Sequence, residues 1–202
     1  MLTCSDSRSE QILNCAEELI RKRGFNGFSY AHIASETGLS KPSVHHYFPK
    51  KSDLGLRLIA RFGEREFEVL AEIDARYSSC LVRLREYARL YEASLHEDLM
   101  CLCGMLAAEH ETLPLDMQAA VREFFDRHEL WLEGLLRAGK AAGEIEYHGE
   151  ASDNAGLILS LLQGALMLGK TMGTSNRLSS ATSHLIECYR SKSSSAAASA
   201  PS

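Results

Sequence analysis

The sequence predicts an all-α protein, an N-terminal unit of three short helices followed by a larger helical domain. Three observations carry this. Apolar residues recur at helical spacing along most of the chain, with no strand-like alternation and no internal repeat. Four prolines and fourteen glycines argue for long helices with punctuated breaks. The stretch Ser29 to Phe48, SYAHIASETGLSKPSVHHYF, reads as helix, tight turn, helix.

The first helix opens at a capping box, Ser7-x-x-Glu10. Ile12, Ala16, Leu19 and Ile20 form its apolar stripe. Arg21, Lys22 and Arg23 complement the dipole at its end, and Gly24 stops it. Phe25 and Phe28 then plug a small core. About fifty residues make a marginal core alone, so this unit leans on the fourth helix.

Ser29 is an N-cap, Ile33 and Ala34 supply the inward face, and Gly38 sits where a left-handed residue ends the helix. Leu39 turns inward, Ser40 caps the next helix, and Pro42 falls in its first turn, where a missing N–H costs nothing. Val44 and Phe48 are four apart and pack inward. At about 100° per residue, Pro42, Ser43 and His46 point the opposite way, with Lys41, His45 and Tyr47 on the flanks. Donors, a cation and aromatic rings on one outer face suit the phosphates and base edges of a major groove. An amphipathic helical hairpin in an ordinary helical protein carries the same pattern.

A fourth helix is expected from near Ser52 to about Ala75, with Leu54, Leu58, Phe62, Val69 and Ile73 in line. It is long enough to serve both halves, as a lever or as a plain connection. A fifth spans Ser79–Cys103 with Leu81, Leu84, Ala88, Tyr91, Leu95 and Leu99 inward, a break at Gly104, and a short helix to Thr112 before Leu113-Pro114. Leu115–Ala142 follows, with Met117, Val121, Phe124, His128, Leu132 and Leu135 on one face, closed by Gly139 and Gly143. After a polar loop, Ser152–Met172 is apolar nearly all round and must be covered on more than one side; Gly156, Gly164, Gly169 and Gly173 are low points for a second helix. The last helix is Leu178–Tyr189, with Leu178, Thr182, Leu185 and Tyr189 in line. The biased segment from Ser191 is expected to be disordered. The domains are thus 1–52, 53–190 and a tail at 191–202.

Gly24-Phe25, Phe28-Ser29, Ile33-Ala34, Thr37-Gly38-Leu39-Ser40, Ser43-Val44, Tyr47-Phe48 and Lys50-Lys51-Ser52-Asp53-Leu54 fall in one ungapped register. Together they resemble the DNA-binding domain of the tetracycline-repressor (TetR) family over roughly residues 8–60. The resemblance implies a helix-turn-helix DNA-binding domain joined to a helical ligand-binding and dimerisation domain. It implies a repressor released from a near-palindromic double-stranded DNA operator by a small-molecule effector. On it, Ser29, Thr37, Lys41, Pro42, Ser43, His45, His46 and Tyr47 face DNA, and Lys51 meets phosphate. His45 departs from the family's usual tyrosine; an imidazole still reaches phosphate, with a shorter arm and a pH-dependent charge. The alternative is a helical small-molecule-binding protein or enzyme whose first domain only resembles a regulator.

The net charge of −5 fits DNA binding once it is divided. Residues 1–66 hold ten Lys/Arg and eight Asp/Glu; residues 67–202 hold twelve and nineteen. Within 37–65 the count is six against two, so the positive charge sits on the motif. No secretory signal is visible, and the most apolar run, Leu157–Met172, is interrupted by Gln163 and Lys170 and short for a membrane span. A cytoplasmic location without membrane attachment is expected. The six cysteines form no secreted-type framework.

The eight histidines show no chelating spacing, so no metal is expected. No phosphate loop or nucleophile signature is present, so neither catalysis nor a cofactor is expected. A homodimer is expected through the last two long helices, with Leu161 and Leu166 at its interface. An effector cavity is expected between the fifth, seventh and eighth helices, from Tyr91, Leu95, Cys103, Phe124, His128, Trp131 and Leu162, whose faces mix apolar, aromatic and polar groups. A closed core is the alternative. Cys101-Leu102-Cys103-Gly104, with Leu106 and Glu109, resembles a segment of a TetR subgroup in which some members sense electrophiles or oxidants by a thiol. That makes Cys101 and Cys103 candidate sensors, against the alternative of small core residues.

Overall fold

The computed structural model describes residues 4–191, and among them regular structure is helical throughout: α1 Cys4–Arg23, α2 Tyr30–Thr37, α3 Lys41–Tyr47, α4 Lys51–Arg76, α5 Cys80–His96, α6 Leu102–Ala108, α7 Leu115–Ala141, α8 Ala151–Met172 and α9 Asn176–Tyr189, with a single 3-10 turn at His110–Thr112. An isolated antiparallel bridge joins Ile145 to Arg190. The chain divides into two compact units, one from Met1–Arg65 with Leu99–Phe124, the other from Glu66–Asp98 with Phe125–Ser202.

In the first unit the apolar stripe of α1 is buried at Ile12, Leu13, Ala16, Leu19 and Ile20. It meets α2 and α6, with Ile33, Leu102 and Leu106 completing the core. Ser40 caps α3 by accepting the Ser43 N–H at 3.2 Å, and Val44 and Phe48 pack inward as their spacing requires. Leu54, Leu58 and Phe62 of α4 are buried, and Phe62 lies against Phe124 of α7 at 5.7 Å. A network of charges fastens α4 to α1. Arg61 donates to Glu10 and Asn14, each at 2.9 Å, and to Glu17 at 2.6 Å, while Arg65 also donates to Glu17. Burial alone would raise the Glu17 carboxyl, but the bonds and charges of Arg65 and Arg61 outweigh it and hold it below the usual range.

In the second unit α5, α8 and α9 pack pairwise. Leu84, Tyr87 and Ala88 of α5 meet a core of Ile158, Leu162 and Leu166 from α8 and Leu178, Leu185 and Ile186 from α9. Glu144 fixes the α7–α8 connection by accepting the Cys80 and Leu81 N–H groups at the start of α5, at 2.7 and 3.1 Å. The α7–α8 connection is therefore less polar than the sequence suggested, since Ile145 is buried and bridged to Arg190.

Three expectations are corrected. α1 starts at Cys4, a turn before the Ser7 box. The fifth helix ends at His96, and Gly104 lies inside α6 instead of breaking the chain there. The break comes at Asp98, whose φ is +57°, and the chain leaves it to pair with α1. The Met100 N–H donates to the Arg21 carbonyl at 3.3 Å, and Arg21 Nε returns a bond to the Met100 carbonyl at 2.7 Å. Glu97 and Asp98 at the negative end of a helix dipole are the sequence signal for that stop. Of the four glycines expected as low points, Gly164 inside α8 and Gly173, its left-handed cap, meet open space, whereas Gly169 faces Leu95 and the Thr174 carbonyl and Gly156 faces Glu129. By length and composition α8 could cross a membrane, but one side of it is the core just described. The tail reading lies outside the described residues except at Ser191, which is buried and bonded to Glu146.

Gly24 and Gly38 both need positive φ, at +80° and +71°. They differ in space: a Cβ on Gly24 would sit 2.6 Å from Glu109 Oε1, whereas one on Gly38 meets nothing. Gly38→Ala should cost about 1 kcal/mol. Gly24→Ala should cost about 2–3 kcal/mol, because it also displaces a bonded carboxylate. Equal shifts in denaturant midpoint would contradict this geometry.

Candidate nucleic-acid interface and effector cluster

The turn between α2 and α3 is closed by Thr37, whose hydroxyl donates to the Ile33 carbonyl at 2.7 Å and accepts the Leu39 N–H at 3.4 Å. Gln11 of α1 donates to the Thr37 carbonyl at 3.1 Å. Thr37 is therefore engaged in the turn itself. Ser29 is exposed at the N-cap of α2, with its N–H donated to His32 Nδ1 at 3.1 Å. Tyr30 donates its hydroxyl to the Phe48 carbonyl at 2.8 Å, which ties the end of α3 to the start of α2.

With the inward face of α3 committed, Lys41, Pro42, His45 and His46 are exposed and Ser43 and Tyr47 half-buried. The His45 ring meets the edge of Tyr30 at 4.6 Å, and His46 meets Tyr47 at 5.5 Å, so the two imidazoles have defined supports. Lys51 is placed otherwise than the resemblance implies. Its ammonium turns inward, donating to the Phe25 and Phe28 carbonyls at 2.5 Å each and lying over both rings at 4.6 and 4.2 Å. Burial lowers its pKa, an effect Glu109 partly offsets. Its neighbour Lys50 is exposed at the start of α4.

The same loop is held from its other side. Glu109, at the end of α6, accepts the Phe25 N–H at 2.6 Å and the Asn26 N–H at 3.2 Å, and Asn26 donates its amide to Thr112 at 2.7 Å. In the sequence Glu109 stands out only as part of the cysteine segment; no local pattern signals a bond to a loop 84 residues away.

The residues expected to form an effector cavity divide between the units. Cys103 and Phe124 are buried in the first. In the second, Tyr91, His128 and Trp131 gather around a residue the sequence did not single out, Tyr87. Its hydroxyl bonds Tyr91 at 3.1 Å and His128 Nδ1 at 3.2 Å, and its ring lies 5.4 Å from Trp131. Phe67 stacks on His128 at 4.9 Å, and Trp131 donates to Asp74 at 2.9 Å. Leu162 is fully buried in the core, and Leu95 packs toward Gly169. Both candidate sensor thiols are buried, Cys103 completely. Cys101 is the N-cap of α6, accepting the Gly104 N–H at 3.4 Å. Among the described residues no His/Cys/Asp/Glu group has a metal-binding arrangement.

Burial, with the Arg127 charge second, pushes the His128 imidazole down to about 4. A histidine depressed on folding contributes stability that is complete above its unfolded pKa, about 6.5, and lost as pH falls toward the folded value. Unfolding free energy should therefore drop by about 2–3 kcal/mol between pH 6.5 and 4 through this group. His128→Gln should flatten that part of the profile in denaturant titrations; an unchanged slope would place His128 in contact with water.

The fold and the exposed helix define a helix-turn-helix nucleic-acid-binding protein with a second, wholly helical unit. Comparison with known proteins agrees. The family model for bacterial regulatory proteins of the tetR family matches residues 12–58, and that for the tetracyclin repressor-like C-terminal domain matches residues 80–185. The crystal structure of a TetR-family transcriptional regulator from Agrobacterium tumefaciens superposes with a TM-score of 0.89 at 31% identity, over 92% of this chain and 98% of that one. Transcriptional regulator AcuR of Cereibacter sphaeroides is 27% identical over 141 residues, 67% of this chain and 64% of its own length. HTH-type transcriptional repressor BdcR of Escherichia coli is 33% identical over 86 residues, 41% of this chain and 44% of its own length. The matched stretches thus span less than two thirds of these two curated relatives. The chain belongs to the TetR family of DNA-binding transcriptional regulators.

Proposed function

We propose that the protein is a cytoplasmic homodimeric repressor, without catalytic activity, that leaves a near-palindromic operator when a small molecule binds its helical part. The division of labour follows the domains read from the sequence: 1–52 contacts DNA, and 53–190 carries the effector and dimer surfaces. The observation that carries the reading is α3, with Lys41, Ser43, His46 and Tyr47 outward over a buried Val44 and Phe48. Lys41 and the exposed Lys50 neutralise phosphate, while Ser43, His46 and Tyr47 reach base edges. Lys51 acts by holding the loop beneath the motif. The effector contacts Tyr91, His128 and Trp131 through the cluster around Tyr87, and favours a dimer whose two α3 helices are wrongly spaced for successive major grooves.

Dimerisation is supported by α8. Leu157, Gly164, Leu168 and Met172, with Leu161 at the margin, recur at the spacing of one helical face, and Leu157 is 61% exposed. Leu166 belongs to the opposite, fully buried side, so a charge there would break the fold before the interface. Leu161→Glu should convert dimer to monomer in sedimentation at micromolar concentration and remove operator binding. Wild type that already sediments as a monomer would contradict the proposal.

Lys41→Ala should weaken binding to all sequences and reduce the salt slope by about one. His46→Ala should instead alter sequence preference, by about 1–3 kcal/mol at the contacted base pair. Titrations of labelled duplexes at several salt concentrations separate these outcomes. Identical behaviour of both variants and wild type would remove α3 from the interface.

A further inference from the structure

A groove of about 430 Å³ between α5 and α9 lies outside the recognition helix, the aromatic cluster and the apolar face of α8. Three arginines converge on it. Arg85 and Arg89 stand one turn apart on α5, and Arg190 closes the C-terminal end of α9. They are three of only twelve cationic residues in a stretch, 67–202, that carries nineteen acidic ones.

The remaining lining fits the same reading. Ile186 and Thr182 are buried and form a floor, and the Thr182 hydroxyl is committed to the Leu178 carbonyl at 2.9 Å. Ser183 presents a hydroxyl that has no hydrogen-bond partner among the described residues, as do the guanidiniums of Arg85 and Arg190. Arg89 is paired with Glu86 at 2.5 Å. Two carboxylates, Glu92 and Glu187, also line the groove, and with Arg89 held by Glu86 the guanidiniums of Arg85 and Arg190 are the ones left to a ligand. This arrangement selects against a single weak charge, which must compete with both carboxylates. It favours a compact ligand with two or more oxyanion groups that engage forked guanidinium donors bidentately. Backbone pairing holds the Arg190 end in place: its N–H bonds to the Ile186 carbonyl, and its residue bridges Ile145.

We propose that the α5–α9 groove is a binding site for a small multiply charged oxyanion, a phosphate or polycarboxylate metabolite, held by Arg85, Arg190 and the Ser183 hydroxyl. The site is separate from the proposed effector cluster and stands whether or not that cluster binds a ligand. The volume suits a molecule at the lower end of ordinary metabolite sites.

The test is calorimetric titration of the full chain with inorganic phosphate and, separately, with citrate, at ionic strength held constant with sodium chloride. The expected result is saturable binding with one site per chain for at least one of the two probes. The stronger probe identifies phosphate or carboxylate as the source of the charge. Arg85→Gln combined with Arg190→Gln should weaken that binding about tenfold or more. Ser183→Ala should weaken it less. Thermal unfolding without ligand should be unchanged in the Arg85→Gln single variant, whose exposed side chain holds no structural bond. Absence of saturable binding by either probe, or equal affinity in wild type and the double variant, would overturn the proposal. A double variant that unfolds shifts the decision to Arg85→Gln alone, which must then show the loss.

Discussion

The recognition motif depends on how the loop from Gly24 to Phe28 is held. Loops leave backbone groups to be satisfied, and here both kinds are taken up by side chains from distant parts of the sequence. Glu109 accepts the N–H groups of Phe25 and Asn26. Lys51 donates to the carbonyls of Phe25 and Phe28 and stacks its charge over their rings. The anion and the cation also face one another electrically, since Glu109 supports the charged form of Lys51. Phe25 and Phe28 are thereby fixed in the core below α2 and α3. A small domain with a marginal core gains from such bonds the definite orientation that a DNA-reading helix needs.

A second consequence concerns α6. The stretch from Leu99 to Phe124 belongs to the same compact unit as the helix-turn-helix, although more than thirty residues of the other unit precede it. It is fastened to α1 at Arg21 by a reciprocal pair of bonds with Met100, and to the loop by Glu109 and Thr112. Cys101 and Cys103 lie between those two fastenings. The start and the end of α6 are thus both bonded to groups that carry the recognition motif. α4 and α7 each contribute residues to both units.

Much of this was legible in the sequence where the cause is local. Caps, left-handed glycines and apolar spacing placed α2, α3, α4, α7 and α8 within a residue or two, because each signal acts within a turn or two of helix. The stop of α5 was misplaced for the opposite reason. Gly104 looked like the breaker, whereas Asp98 breaks the helix so that Met100 can reach Arg21, a partner 79 residues away. Lys51 shows the limit of carry-over from a family pattern: the position matches, but in this chain two carbonyls and two phenylalanine rings surround the ammonium. Tyr87 was missed because a tyrosine at a core position reads like any other apolar residue, and only the fold brings His128 and Trp131 to it.

The central claim is that the exposed face of α3 reads DNA as one half of a symmetric dimer. Selection of bound fragments from the source genome by the purified protein, followed by footprinting of the enriched fragments, tests it most directly. The account predicts enriched sites with near-palindromic half-sites about 34 Å apart, or a multiple of that, and protection centred on both. Enrichment no better than for random fragments, with no protected region on any of them, would contradict it.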